Sequence, residues 1–221
     1  MFVKVNDVDL YYEKMGTGRP LIMVHGNSED HTIFNEAAEV LKDHLTVYLP
    51  DSRNHVQSSV VKEDLHYETM ADDYLKFMEE LDLNDVVFYG FSDGGILGLL
   101  LANKTDRITR YILSGANVTP DGVKTQLKLL VKVLYFFTRD PRMKMILEEP
   151  NISKNELNKI KTKTTVVAGE NDMVKETETL FIAHNVPDSK LMILPKEGHG
   201  SYIVHSTKIA DLILKEIEED Q

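Results

Sequence analysis

The segment from Val86 to Ala102 limits most sharply what this chain can fold into. Val86-Val-Phe-Tyr89 is apolar on both faces, Gly90-Phe-Ser-Asp-Gly-Gly95 follows at once, and Ile96 to Ala102 continues as an apolar helical stretch. A short run without polar alternation suits a buried parallel strand. Passing from strand to helix within so few residues brings two backbones together, and glycines allow it because they carry no Cβ.

The rest of the chain repeats the pattern. Phe2–Val5 and Val8–Tyr12 read as a hairpin turned at Asn6-Asp7. Further strand signals lie at Leu21–Val24, Thr46–Leu49, Arg110–Leu113, Thr164–Ala168 and Lys190–Leu194. Helical spacing marks His31–Asp43, Tyr67–Leu81, Glu176–His184 and Val204–Glu218, and Ser52–Asp64 reads as a polar loop. The alternation predicts an α/β fold: a mostly parallel eight-stranded sheet, helices on both faces, right-handed crossovers. From Asn117 to Thr162 no strand signal appears. Leu127–Phe137 is strongly apolar, Pro141 breaks it, and Met143–Leu147 forms a second apolar patch. That interval is too short to fold alone, so it is expected to be a helical lid on a single domain spanning residues 1–221.

Composition narrows the partners. There are 25 Lys and Arg against 36 Asp and Glu, a formal charge of −11, with no Cys and no Trp. The acidity argues against nucleic acid, whose binders need basic stripes, and against anionic membranes. It suits solubility through net repulsion. Without cysteine there is no disulfide framework, thiolate metal site or Cys nucleophile. The N-terminus reads as strand rather than signal peptide, and no run of about 18 apolar residues occurs. The expectation is a soluble, cytoplasmic protein.

Ser92 stands in Gly90-Phe-Ser-Asp-Gly94, which fits G-x-S-x-G between a strand and a helix. There the hydroxyl is held exposed at the carboxyl edge of the sheet. The plainer alternative is a serine capping an ordinary helix. A serine nucleophile needs a base, and the base needs a carboxylate to fix its tautomer. In this arrangement the order is Ser, acid, His, each just past a strand. His199, between Gly198 and Gly200, and Asp172, at the end of Gly169-Glu-Asn-Asp172, occupy those places. Asp172 is preferred over Glu170, which abuts the strand; its alternative role is a helix cap. The oxyanion donors are assigned to the backbone N–H groups of Asp93 and Asn27. The Asp93 carboxylate either meets a substrate ammonium or faces the nearby helix N-terminus. Leu130, Leu134, Phe136 and Phe137 are candidates for an acyl pocket, against packing on the sheet as the plainer fate. His25 is read as tying down its loop and His55 as a surface residue. His31, His44, His66, His184 and His205 carry no constellation.

These pieces together resemble the α/β-hydrolase superfamily along essentially the whole chain. The resemblance rests on His25-Gly-Asn27, Gly90-Phe-Ser-Asp-Gly-Gly95, Gly169-Glu-Asn-Asp172 and Gly198-His199. With Ser114-Gly-Ala-Asn117, the elbow looks most like the valacyclovir hydrolase-like subgroup, which implies small esters, including amino-acid esters. One loop departs from the family pattern. Asp51-Ser-Arg-Asn-His-Val-Gln-Ser58 lacks both usual glycines, so Asn54 is expected to take a left-handed conformation. The lid is also short for the family. The expected function is a serine esterase acting on a small-molecule ester, with no metal and no cofactor. Lactonase, carbon–carbon hydrolase, perhydrolase and acyltransferase chemistries remain alternatives, as does a ligand-binding regulator on the same fold. An Asp-nucleophile dehalogenase is disfavoured by Ser92 and by the missing tryptophans.

Overall fold

The structure is a computed structural model that describes residues 1–61 and 65–218. Eight strands form one sheet: β1 (Phe2–Val5), β2 (Val8–Met15), β3 (Pro20–Val24), β4 (Thr46–Pro50), β5 (Val86–Phe91), β6 (Ile108–Ser114), β7 (Thr164–Asn171) and β8 (Ser189–Gly198). Their order is β1-β2-β4-β3-β5-β6-β7-β8. Only the pairings of β2, with β1 and with β4, are antiparallel; the others are parallel. The β1–β2 turn is sharp because Asn6 takes a left-handed φ of 48°, a conformation asparagine tolerates better than most residues.

Among the described residues there are eight α-helices, alternating with the strands from β3 onward except that three fall together between β6 and β7: α1 (Asn35–Leu41), α2 (Tyr67–Glu80), α3 (Asp93–Leu101), α4 (Thr125–Thr138), α5 (Pro141–Glu148), α6 (Lys154–Leu157), α7 (Glu176–Asn185) and α8 (Lys208–Glu218). Apolar faces of α2, α3 and α7 pack on one side of the sheet, through Tyr74, Phe77, Leu97 and Ile182. On the other side α1 and α8 pack through Leu41, Ile209 and Ile213. Phe77 and Phe88 are fully buried, and each such side chain contributes about 1.5–3 kcal/mol. Arg110 on β6, wholly buried, pairs with Glu216 on α8. Glu216 also pairs with Lys190 of β8 at 2.7 Å, tying the last helix to the sheet edge.

Several boundaries differ from the sequence expectation. The His31–Asp43 segment divides into a 3₁₀ turn at His31–Phe34 and then α1. α3 starts at Asp93, directly after Ser92, rather than at Ile96. α8 starts at Lys208 rather than Val204, because Tyr202 and Ile203 turn inward to be buried and His205 takes a left-handed φ of 50°. Of the expected polar loop, Lys62, Glu63 and Asp64 lie outside the described residues. The part before them is no loose surface loop: Ser52, Arg53, His55 and Ser58 are all buried. The interval 117–162 holds α4, α5 and α6. Among the described residues no helix is long and apolar enough to cross a membrane.

Candidate active site

Ser92 sits at the sharp turn from β5 into α3 with φ 53° and ψ −112°. A non-glycine residue held there costs about 1–3 kcal/mol, and its surroundings must impose it. They do so by close approach. A Cβ on Gly90 would stand 2.2 Å from the Gly94 carbonyl oxygen, and one on Gly94 would stand 2.2 Å from that of Val24. The Ser92 N–H donates to the Ser114 carbonyl at 2.8 Å, pinning the turn to the end of β6.

His199 and Asp172 arrive from the ends of β8 and β7. His199 Nε2 is 3.1 Å from Ser92 Oγ, and Nδ1 is 2.6 Å from Asp172 Oδ1. Asp172 also accepts from the Val174 and Gly169 N–H groups at 2.9 and 3.3 Å. Burial works to raise the Asp172 pKa, but the His199 contact and those two N–H donors outweigh it and hold the carboxyl below its usual range. An ionised Asp172 accepts from Nδ1–H, leaving the Nε2 lone pair facing the hydroxyl. Gly115, with φ 62°, backs the imidazole; a Cβ there would stand 2.7 Å from His199 Cε1. The Phe91 ring lies 4.9 Å from the imidazole and packs against it.

The loop after β3 comes up beside the serine: a Cβ on Gly26 would stand 3.0 Å from Ser92 Cβ. Among the described residues, the backbone N–H groups of Asn27 and Asp93 have no protein acceptor, which leaves both available to an oxyanion. Two histidines hold this loop. His25 Nδ1–H donates to the Gly26 carbonyl at 2.7 Å, and its Nε2 accepts from the Ser52 N–H at 3.0 Å. His55 Nδ1–H donates to the Arg53 carbonyl at 2.9 Å, and its Nε2 accepts from the Ser28 N–H at 3.1 Å. Each ring therefore works as a neutral tautomer. Burial lowers both pKa values, that of His55 to about 3. His55 is thus not a surface residue. It is buried and edge-on to His25, with centroids 4.9 Å apart. Asn54 does take the left-handed conformation, at φ 61°.

His31 also gains a partner that its sequence position does not announce. Its Nδ1 lies 2.8 Å from Asp51 Oδ1, and its N–H donates to the same oxygen at 2.9 Å. Asp30, His31 and Asp51 are the one cluster of metal-ligand types among the described residues. Asp51 also accepts from the Gln57 N–H, and Asp30 from Thr32, so the cluster reads as a tie between loops.

A cavity of about 270 Å³ opens above Ser92 and His199. Leu127, Leu130 and Leu134 of α4, with Met143 and Ile146 of α5, form its apolar wall. A second part of the wall is acidic: Asp93, Glu29 and Glu149 line it, and among the described residues neither Lys nor Arg does. Asp93 is buried, accepting from the Tyr67 hydroxyl at 2.7 Å and the Asn27 side-chain amide at 2.9 Å. Burial pushes its pKa up to about 6 despite those donors. Glu29 accepts from the Gly26 N–H at 3.0 Å, and burial likewise raises its pKa to about 6. Glu149 bonds His66 Nδ1 at 2.5 Å and accepts from the Tyr67 N–H at 3.0 Å.

Glu29 and Glu149 were not legible as cavity residues. The only signal was the nearness of Glu29 to the Gly26-Asn27 loop. Phe136 and Phe137, expected in the acyl pocket with Leu130 and Leu134, do not line the cavity. They are 66% and 77% exposed and pack edge-on to each other, because their helical phase carries them to the solvent side. Packing on the sheet is not the fate of these lid residues either, since all four are exposed.

Comparison with known proteins agrees with this architecture. A family model described as the alpha/beta hydrolase fold matches residues 19–144, more than half of the chain. AB hydrolase superfamily protein YisY of Bacillus subtilis is 33% identical over 100 residues, covering 44% of this chain and 37% of that protein. The chain thus spans about a third of the length of the first such relatives it matches. Serine hydrolase BPHL of Mus musculus is 27% identical over 233 residues, covering 91% of this chain and 80% of that protein. Among solved structures, a thermophilic esterase from Thermogutta terrifontis superposes with a TM-score of 0.81 at 23% identity, covering 99% of this chain and 98% of the other. That likeness speaks for the fold alone. Family model, strand order and elbow agree: the chain belongs to the alpha/beta hydrolase fold family.

Proposed function

We propose that the chain is a serine hydrolase of small carboxylic esters, acting through Ser92, His199 and Asp172. The observation that carries this reading is the continuous chain of contacts from Asp172 through His199 to the Ser92 hydroxyl, 2.6 and 3.1 Å, beside two backbone donors. In the first half-reaction Ser92 Oγ bonds the ester carbonyl carbon while His199 Nε2 takes the hydroxyl proton. The carbonyl oxygen becomes an oxyanion and accepts from the Asn27 and Asp93 N–H groups. Collapse breaks the bond to the alkoxy group, and His199 returns the proton to the departing alcohol. Water then gives a proton to His199 and its oxygen to the acyl carbon. The acid leaves, and Oγ recovers the proton.

The cavity supports a substrate class. Its volume suits a small ester, and its apolar wall suits an acyl or aliphatic group. Asp93 has lone pairs beyond those used by Tyr67 and Asn27, so an ammonium beside the ester carbonyl would meet a carboxylate. Amino-acid esters satisfy all three demands.

The test is fluorophosphonate labelling together with p-nitrophenyl acetate turnover, on wild type and Ser92→Ala. Both are expected to vanish in the variant, with a turnover loss of about 10⁴-fold or more. Labelling and turnover that survive the change would sink the assignment. Labelling of wild type without turnover on any ester panel would favour a ligand-binding regulator instead. A second series compares amino-acid esters with matched neutral esters: Asp93→Ala is expected to weaken the former more, and equal losses would end the ammonium reading.

A further inference from the structure

α4 is amphipathic in the wrong sense for a helix of a protein standing free in water. Of its fourteen residues only Val131 is buried. Leu129, Leu130, Val133, Leu134, Phe136 and Phe137 are all exposed, Leu129 at 62% and Phe136 at 66%. At about 100° per residue these six fall within one arc of roughly 160°, interrupted only by Gln126. Most of the apolar face therefore points away from the protein, while Leu130 and Leu134 at one edge of it also line the cavity. Isolated apolar residues on a surface need no explanation, but a contiguous exposed patch marks an interaction site.

The charge of the stretch that carries this face departs from the rest of the chain. Between Lys124 and Leu147 stand six Lys and Arg against a single carboxylate, Asp140, in a chain whose total is −11. Lys132 lies beside one rim of the apolar arc, with Lys128 one turn before it and farther round the helix. Arg139, at the end of the helix, lies over the rings of Tyr135 and Phe136 at 5.4 and 5.8 Å. Lys128 and Arg142 pair with Asp121 and Asp140, yet the local balance remains cationic.

We propose that α4 is an interfacial helix that seats this face of the protein on an anionic lipid surface. An apolar arc flanked by Lys and Arg is the pattern that lies at the boundary of headgroups and acyl chains, with aromatic side chains as anchors. Cationic residues near such a surface are attracted over about one Debye length, ~10 Å at 0.1 M salt, so acidic groups on the far side of the molecule are screened. The same charge disfavours a second copy as the occupant, since a twofold contact would set two cationic faces against each other. Leu130 and Leu134 are exposed and also line the cavity. The bound orientation therefore sets the cavity rim against the acyl region.

Cosedimentation with vesicles tests this without reference to turnover. Vesicles of phosphatidylglycerol and phosphatidylcholine are compared with vesicles of phosphatidylcholine alone, in low salt. Wild type and Ser92→Ala are expected to bind the anionic vesicles equally, and about tenfold more than the neutral ones. Changing both Phe136→Ser and Phe137→Ser removes exposed groups only and is expected to abolish binding with an unchanged melting temperature. Lys132→Glu is expected to reduce the preference for anionic vesicles. Wild type left in the supernatant with both vesicle types would overturn the proposal. So would self-association in sedimentation velocity that the Phe136→Ser, Phe137→Ser variant abolishes, because a second copy would then cover the face.

Discussion

Two helices of this molecule have nearly the same vocabulary and opposite surroundings. α3 reads Asp-Gly-Gly-Ile-Leu-Gly-Leu-Leu-Leu and has eight of its nine residues buried; α4 is as rich in Leu and Val and has one of fourteen buried. The difference lies in their neighbours. α3 emerges from the turn at Ser92 between strands and α2, so every side of it meets protein. α4 rests chiefly on α5, and Val131 is its one buried residue. An apolar helix thus states that it wants a cover, while topology decides whether its own chain supplies one.

The largest effect separating the two helices should be on stability. Leu97 of α3 is wholly buried among the side chains packed on the sheet. Leu97→Ala removes that packing and leaves a cavity that a helix pinned by glycine contacts cannot close. A loss of about 3 kcal/mol is expected in urea unfolding. A loss below about 1 kcal/mol would mean that α3 is no better packed than α4, and the contrast would fail.

A smaller effect distinguishes the two walls of the cavity, one supplied by the base of α3 and the other by α4. Asp93 is ionised above a pKa of about 6. Its raised value means that it is charged at pH 7 and mostly neutral at pH 5, whereas an α-ammonium stays protonated throughout that range. A loss of activity in acid common to all esters cancels in the ratio of kcat/KM for an amino-acid ester to that for a matched neutral ester, and Asp93→Asn separates Asp93 from Glu29, whose raised pKa of about 6 lies in the same range. That ratio is expected to fall about tenfold from pH 7 to pH 5, and the fall should disappear in Asp93→Asn. A ratio independent of pH would leave α4's apolar wall as the sole source of selectivity.

What the sequence disclosed follows the same division. The elbow was legible because its causes are local: an apolar strand, two glycines and an apolar helix in one segment. Asp172 and His199 could be named because each lies just beyond a strand, and a parallel sheet carries such loops to one edge. The structure brings all three within hydrogen-bond distance. His55 was misplaced because its burial depends on partners far along the chain, Ser28 and the carbonyl of Arg53, in a loop whose family pattern is altered. Glu29 and Glu149 look like surface carboxylates until the loop after β3 and the start of α2 close around them. Phe137 was misassigned because periodicity gives the existence of a face but not what lies against it. Net charge is silent about placement in a comparable way: a total of −11 says nothing of the six Lys and Arg that stand between Lys124 and Leu147.

The smallest expected effect is the most specific to α4. Leu129→Ala shortens a side chain that is 62% exposed, on a helix that its own protein covers on one side only. The truncation removes little burial and opens no cavity, and alanine is the better helix former. In urea the stability change should stay within about 0.5 kcal/mol, some sixfold less than at Leu97. A loss of about 2 kcal/mol would show that α4 packs against something in solution that the isolated fold does not supply. Repeating the measurement over a range of protein concentrations then separates the causes. A loss that grows with concentration means a second copy shelters the helix in the folded state; a loss that does not means the lid lies closer to the body than its exposure implies.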